Sequence, residues 1–253
     1  MKVYFVGAGP GDPELLTVKA ARLLRSARCC VYAGSLINPE ALALLPPDAA
    51  RHDSSRMTLG EIVAVFERAR RENTDVVRLH TGEPAIYGAI GEQMDALDRL
   101  GIAYEIVPGI SSFQAAAAAL KAQLTAPEVA QTVILTRTAG RTPMPPGEDL
   151  SRLAASRATL CIFLSSDMVA EVVAVLVPHY GRDCPAAGVY HASWPDERVV
   201  RGTLETIAAD MKAAGIARSA IILVGRALAR PLPHASRLYG ADFSHGYREG
   251  QPP

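Results

Sequence analysis

The sequence predicts an α/β protein of two αβ domains, the first on a mostly parallel sheet and the second on a mixed one. Three observations carry this. Short apolar runs alternate with amphipathic stretches from residue 3 onward, the β-α-β-α rhythm of a parallel sheet covered by helices. A stretch with Thr, Pro and Glu over 123–129 interrupts the rhythm and reads as a junction. Beyond it, two apolar runs over 187–191 and 198–202 flank Trp194-Pro195-Asp196-Glu197, which suggests a hairpin and so antiparallel pairing in the second sheet. The expected division is an N-terminal domain over 1–122, a C-terminal domain over 123–230, and a weakly ordered tail over 231–253 without periodicity.

In chain order, residues 3–6 read as a buried strand. Asp12-Pro13 reads as the N-cap and first turn of a helix carrying Leu15, Leu16, Ala20, Leu23 and Leu24. A second strand covers 29–33. Thr58 and Glu61 have capping-box spacing and open a helix to residue 71. A strand over 75–80, a helix over 86–100 and a strand over 104–107 follow. Ser111 with Gln114 repeats the capping-box spacing ahead of an alanine-rich helix. In the second half the strands are expected over 131–136, 158–164, 187–191, 198–202 and 220–224, with helices over 168–177 and 204–214. There is no internal repeat.

Composition bounds the function. The chain has 253 residues, 49% of them hydrophobic, enough for a sizeable core. Its formal net charge of zero argues against a nucleic-acid binder, which carries a basic excess. Cys29, Cys30, Cys161 and Cys184 show no C-x-x-C pair and read as reduced thiols of a cytoplasmic protein. The chain opens at once on a strand, with no signal-peptide pattern, and its apolar runs are too short to span a membrane.

Three irregular loops follow strands of the first half. Gly7-Ala8-Gly9-Pro10-Gly11-Asp12 sits in the setting of a dinucleotide fingerprint, but Asp12 falls where a third glycine should and would repel a phosphate at the helix start. Pro10 also removes an amide, and the next strand offers no acidic residue for a ribose. Thr81-Gly82-Glu83-Pro84-Ala85-Ile86-Tyr87-Gly88 follows the strand over 75–80, and its glycines let backbone approach a ligand closely. Glu83 offers a carboxylate to a ligand hydroxyl or amine. Val107-Pro108-Gly109-Ile110-Ser111-Ser112-Phe113 is the third. In an open parallel sheet all three lie at one edge, beyond the carboxyl ends of the strands, where ligands bind. In the second half Thr136 to Pro146 is a polar stretch with Arg137 and Arg141, suited to holding carboxylates, and Arg51, Arg56 and Arg198 add charge elsewhere. His52, His80 and His191 lack metal-ligand spacing, so no metal is expected. There is no Gly-x-Ser-x-Gly elbow and no phosphate loop.

Together these motifs resemble the tetrapyrrole methylases. Val6-Gly7-Ala8-Gly9-Pro10-Gly11-Asp12-Pro13 with Leu15-Leu16-Thr17 is similar to the opening signature of that family. Gly82-Glu83-Pro84 with Tyr87-Gly88 resembles the second, and Pro108-Gly109-Ile110-Ser111-Ser112 the third. Arg201-Gly202-Thr203-Leu204 and residues 222–225 resemble the closing segments, so the likeness runs from Met1 to about Leu228. Within the family, Tyr32-Ala33-Gly34-Ser35-Leu36-Ile37-Asn38-Pro39, residues 135–143 and Ala192-Ser193-Trp194-Pro195-Asp196-Glu197 resemble the branch whose substrate is precorrin-4, methylated at C11.

The resemblance implies two αβ domains with the cofactor, S-adenosylmethionine, in a cleft between them, a tetrapyrrole substrate, and a homodimer. The implied cofactor contacts are Pro10, Thr81, Gly82, Glu83, Ile86, Ser111, Ser112, Leu164 and Ala192. The family usually carries aspartate where Glu83 stands, so the carboxylate here sits one methylene further out, and Leu164 stands where relatives often carry methionine. The implied reaction is transfer of a methyl group to precorrin-4, giving precorrin-5 and S-adenosylhomocysteine in cobalamin biosynthesis. Catalysis would be by positioning, with Arg137, Arg141 and Tyr87 as positioning residues and no assigned general base. Competing expectations are methylation of another tetrapyrrole or another carbon, a non-catalytic tetrapyrrole carrier, and a nicotinamide oxidoreductase weakened by Asp12.

Overall fold

The computed structural model describes residues 1–140, 142–231 and 236–251. The chain divides into two compact units, Met1–Ala115 with His191–Glu197, and Ala116–Tyr190 with Arg198–Pro253.

In the first unit β1 (Lys2–Gly7), α1 (Val18–Ser26), β2 (Cys29–Tyr32), α2 (Pro39–Leu42), β3 (Ala50–Asp53), α3 (Leu59–Arg71), β4 (Val76–His80), α4 (Gly91–Leu100) and β5 (Ala103–Val107) follow in turn, then the start of α5 (Ser112–Ala119). All strand pairs are parallel, in the order β3-β2-β4-β1-β5. The two-residue period of a strand sends successive side chains to opposite faces. Val6, Cys30, Val77 and Leu79 therefore pack with Ala20 and Leu24 of α1 on one face. Val3, Phe5, Val31 and Val76 pack with Ile62 and Phe66 of α3 and Leu97 of α4 on the other. Every residue of β4 is buried, which is why it reads as an apolar run broken only by Arg78 and His80. Among the described residues Arg78 is held without a carboxylate. Its Nε donates to Gln93 Oε1 at 2.9 Å and its Nη1 to the Val31 carbonyl at 3.3 Å.

Two expectations are corrected in this unit, and one strand in it was not anticipated. The helix expected to start at Asp12-Pro13 is two pieces. Asp12 caps only a single 3-10 turn, Pro13–Leu15, and Thr17, accepting from Ala20 N at 3.1 Å, caps α1. Two capping residues five apart compete, and the extended Leu16 separates them. The helix expected from residue 86 starts at Gly91, because Tyr87 (φ 56°) and Ala89 (φ 48°) are left-handed and break helical geometry. β3 was not anticipated, since Arg51 and Asp53 leave it no apolar alternation. The capping box of Thr58 and Glu61 forms as expected at the start of α3.

The second unit carries β6 (Val133–Arg137), α6 (Leu150–Ala154), β7 (Thr159–Phe163), α7 (Val169–Tyr180), β8 (Pro185–Tyr190), β9 (Arg198–Thr203), α8 (Ile207–Ala213) and β10 (Ala220–Val224). Its sheet runs β6-β7-β10-β8-β9, parallel only between β6 and β7 and antiparallel elsewhere, so the expected mixed sheet is present. Leu160, Ile162, Leu176, Ile207, Met211 and Ile222 form its core. α7 runs three residues past its expected end, carrying Pro178 in its last turn, and the Tyr180 hydroxyl anchors that end by donating to the Ala158 carbonyl at 2.6 Å. In the tail, Arg248 Nη2 donates to the carbonyls of Leu238, Gly240 and Phe243.

All four cysteines are buried and unpaired. Burial pushes the Cys30 and Cys161 thiols up to about 12 and Cys184 to about 11, and raises Cys29. Among the described residues no helix is long and apolar enough to cross a membrane.

Candidate functional site

β4, β1 and β5 are neighbours in the parallel first sheet, so the loops that leave their carboxyl ends lie side by side. The glycines of these loops are in mutual contact. A Cβ on Gly7 would lie 2.5 Å from Gly109 Cα and 2.6 Å from the Gly82 carbonyl oxygen. A Cβ on Gly109 would overlap that same oxygen. Gly82 N donates to the Gly9 carbonyl at 2.8 Å, and Ala8 N to the His80 carbonyl at 2.7 Å, so the first and second loops form a short backbone ladder. Gly9 (φ 72°) and Gly82 (φ 61°) both need the left-handed region that glycine enters without strain.

Glu83 joins the second loop to the third. Its Oε2 accepts from Gly109 N at 2.8 Å and its Oε1 from Ala85 N at 2.9 Å. Both carboxylate oxygens expected to face a ligand thus hold backbone amides. Ile86 N donates to the Glu83 carbonyl at 3.1 Å, and the Thr81 hydroxyl to the Leu36 carbonyl at 3.1 Å. Ser111 is buried, and its N–H donates to the Gln114 side chain at 2.8 Å. Of the expected box at α5 this is the half made by the glutamine; Gln114 N donates instead to the Ser111 carbonyl. Ser112 opens α5. Tyr87 is 45% exposed on its left-handed backbone.

The segment His191–Glu197 belongs to this unit and lies on the first loop. Trp194 Nε1 donates to the Pro10 carbonyl at 2.9 Å, and the Ser193 hydroxyl accepts from Asp12 N at 3.0 Å. Ala192 is buried beside them in the sequence. Asn38, from the stretch after β2, donates from Nδ2 to the Gly11 carbonyl at 2.9 Å. The structure therefore gathers Pro10, Thr81, Gly82, Glu83, Ile86, Ser111, Ser112 and Ala192 in the loops of one unit.

His80, at the end of β4, is 3% exposed, and its Nε2 has no hydrogen-bond partner among the described residues. Burial, helped by the Arg78 charge, pulls its pKa down to about 3, so the ring is neutral at ordinary pH and a poor base. The unfolded chain takes up this proton near pH 6.5 while the folded chain refuses it until about pH 3. Stability contributed here is present above pH 6.5 and lost as pH falls. Over that window the loss is about 1.4 kcal/mol per pH unit. In urea unfolding at pH 7 and pH 5, His80→Phe is expected to shrink the stability difference by about 2 kcal/mol. An unchanged difference would place the acid sensitivity elsewhere.

In the second unit, β6 and β7 also end at a common edge. The buried Ser165 hydroxyl accepts from Thr138 N at 3.0 Å and donates to the Phe163 carbonyl at 2.7 Å. Beside it Leu164 is 70% exposed with a left-handed backbone, φ 52°. A leucine there costs about 1–2 kcal/mol of backbone strain. Leu164→Gly is expected to raise stability by about 0.5–1 kcal/mol, since glycine removes the strain at a smaller entropic cost. A urea midpoint that stays or falls would mean the backbone is relaxed as it stands. Arg137 braces its own loop, donating to the carbonyls of Thr138 at 3.0 Å, Thr142 at 3.2 Å and Pro143 at 2.9 Å. Arg141 lies outside the described residues.

Sequence reasoning did not assign roles to Asn38, Ser193 and Trp194. Their signal was present as an Asn-Pro helix start and as a tryptophan in an otherwise polar turn. Among the described residues no group of three or more His, Cys, Asp or Glu is placed to hold a metal ion. The three loops carry no Lys or Arg, and beside their backbone groups they offer only the neutral side chains of Thr81, Tyr87, Ser111 and Ser112 and the carboxylates of Asp12 and Glu83. Such an edge suits an uncharged or cationic ligand held by close backbone approach, and chemistry driven by positioning rather than proton transfer.

The profile of the tetrapyrrole (corrin/porphyrin) methylases matches residues 2–208. The precorrin-4 C(11)-methyltransferase of Pseudomonas aeruginosa is 49% identical over 251 residues, 99% of this chain and 100% of that protein. Among solved structures, the cobalt precorrin-4 methyltransferase CbiF, a cobalamin biosynthetic enzyme, superposes with a TM-score of 0.88 at 46% identity, covering 90% of this chain and 96% of that one. The uroporphyrin-III C-methyl transferase of Thermus thermophilus, solved with S-adenosyl homocysteine, superposes with a TM-score of 0.73 at 31% identity, covering 90% and 93%.

Proposed function

This chain belongs to the tetrapyrrole (corrin/porphyrin) methylases, and from that premise we propose that it transfers a methyl group from S-adenosylmethionine to C11 of precorrin-4, giving precorrin-5 and S-adenosylhomocysteine in cobalamin biosynthesis. The observation that carries the reading is the knot of Gly7, Gly82 and Gly109, which brings the three family loops to one sheet edge. The loops fit the donor. They present backbone amides and carbonyls at glycine and no cationic side chain to oppose a sulfonium.

When bound, S-adenosylmethionine would supply an electrophilic methyl group, which an electron-rich ring carbon attacks in line, the new carbon–carbon bond forming as the methyl–sulfur bond breaks and S-adenosylhomocysteine leaves. That step needs the carbon held about 3–3.5 Å from the methyl with orbitals aligned, so the protein acts by fixing both partners. Pro10, Thr81, Gly82, Ile86, Ser111, Ser112 and Ala192 are the proposed donor contacts in the first unit. Glu83 serves them by locking the second loop to the third. His80, buried and neutral, takes no proton near pH 7. Arg137 and Arg141 are proposed for the substrate carboxylates, with Arg137 also bracing its loop. Tyr87 offers an exposed ring to a flat macrocycle. The same reading makes the protein a cytoplasmic homodimer, in keeping with four unpaired thiols, and light scattering on the purified protein tests the assembly.

The deciding experiment is incubation with S-adenosylmethionine and precorrin-4, followed by mass and NMR analysis. One added methyl at C11 with equimolar S-adenosylhomocysteine is the expected result. A methyl on another carbon moves the chain to another branch of the family. Donor binding without turnover on any tetrapyrrole would mean a carrier.

A further inference from the structure

Three consecutive residues of the first loop are gripped from outside it. Trp194 Nε1 donates to the Pro10 carbonyl, Asn38 Nδ2 donates to the Gly11 carbonyl, and Asp12 N donates to the Ser193 hydroxyl. With glycine at 7, 9 and 11 the loop has an unusually large conformational space to lose, and these bonds remove it before any ligand arrives. The indole lies so close over Gly11 that a Cβ there would overlap its Cδ1 and Nε1. The tryptophan is itself held. Its ring lies tilted on His191 at 5.1 Å between centroids, and His191 Nδ1 meets the Asp196 carboxylate at 2.9 Å. Ser193 N is fixed on Glu197 Oε2 at 2.7 Å, and Asn38 Oδ1 on Glu40 N at 2.9 Å.

We infer that Trp194 is a positioning residue for the methyl donor, its indole N–H acting through the Pro10 carbonyl to hold the glycine loop in the conformation that binds; the inference rests on the methyltransferase reading above. Removing the donor N–H leaves the reacting groups untouched but adds loop ordering to the work of binding. Its effect therefore falls on the affinity for the donor and not on the chemical step.

Trp194→Phe keeps an aromatic ring at this position and loses the indole N–H together with part of the bicycle's packing. Its KM for S-adenosylmethionine and its Kd for S-adenosylhomocysteine by calorimetry are expected to rise together, about three- to tenfold, the worth of one hydrogen bond. The kcat is expected to stay within about twofold, since the chemical step is not touched. Gly11→Ala, which displaces the indole, is expected to give the same rise, and the double variant no more than either alone. A purely structural tryptophan would lower the melting temperature and leave KM and Kd at wild-type values, which overturns the inference.

Trp194 is the chain's single tryptophan, so the unmodified protein gives a second readout that does not depend on a variant folding. Its one indole N–H resonance is expected to shift saturably with S-adenosylhomocysteine, at the calorimetric Kd, and to exchange more slowly with water when the ligand is bound. A resonance unmoved while calorimetry reports saturation overturns the inference and leaves the methyltransferase reading standing. A wild-type protein that gives no heat with S-adenosylhomocysteine removes the reading and the inference together.

Discussion

Glu83→Ala is expected to lower kcat/KM for S-adenosylmethionine by about a hundred- to a thousandfold. The carboxylate accepts from two backbone amides on different loops, Ala85 N at 2.9 Å and Gly109 N at 2.8 Å. Hydrogen bonds to a charged acceptor contribute about 1.5–3 kcal/mol each, and their loss leaves Gly109 N–H without a partner in a crowded knot. Glu83→Asp separates the two bonds. Aspartate reaches the amide two residues on, as in an Asx turn, but is one methylene short of Gly109. It is expected to keep the local bond and lose the bridge, at about a tenfold cost, in line with one hydrogen bond. Steady-state kinetics with calorimetry on S-adenosylhomocysteine reads both variants. An alanine variant within a few-fold of wild type would mean that the glycine contacts alone hold the loops.

Gly109→Ala is expected to abolish measurable S-adenosylhomocysteine binding and to destabilise the protein by about 2–3 kcal/mol or more. The added Cβ would overlap the Gly82 carbonyl oxygen and lie 2.8 Å from Gly7 Cα. These are backbone atoms, so no side-chain rotation relieves the clash, and overpacking of this kind costs about 1–3 kcal/mol in well-packed regions. The relief available is separation of the loops, which dissolves the edge on which the donor is proposed to sit. Gly140→Ala, with open space around its Cβ, is the control and is expected to leave binding unchanged. Equal binding by the two variants would refute the claim that close glycine packing builds the site.

Much of this could be read in the sequence because the signals were local. The capping box of Thr58 and Glu61 and the stripe of Ile62, Val65, Phe66 and Ala69 mark α3 from start to finish. The apolar run at 220–224 matches β10 residue for residue. What could not be read was set by partners far away in the chain. β3 is a strand because β2 offers it an edge, not because its own residues alternate. The start of α4 is delayed by left-handed Tyr87 and Ala89, residue types that do not announce such a backbone. The site divides the same way. Its three glycine loops were visible as strand-to-helix turns. The bonds that tie them span 26 residues between Glu83 and Gly109 and 184 between Trp194 and Pro10, beyond the reach of any local pattern.

The burial of the four thiols bears on the reagent this protein is proposed to handle. A sulfonium methyl group is an electrophile, and among protein side chains the thiolate is the strongest nucleophile toward it. Cys30 and Cys161 at about 12 and Cys184 at about 11 are protonated throughout the physiological range, and Cys29, raised as well, is shielded from solvent like the rest. Buried and protonated, each within its own unit, the four thiols are poor competitors with the macrocycle for the methyl group.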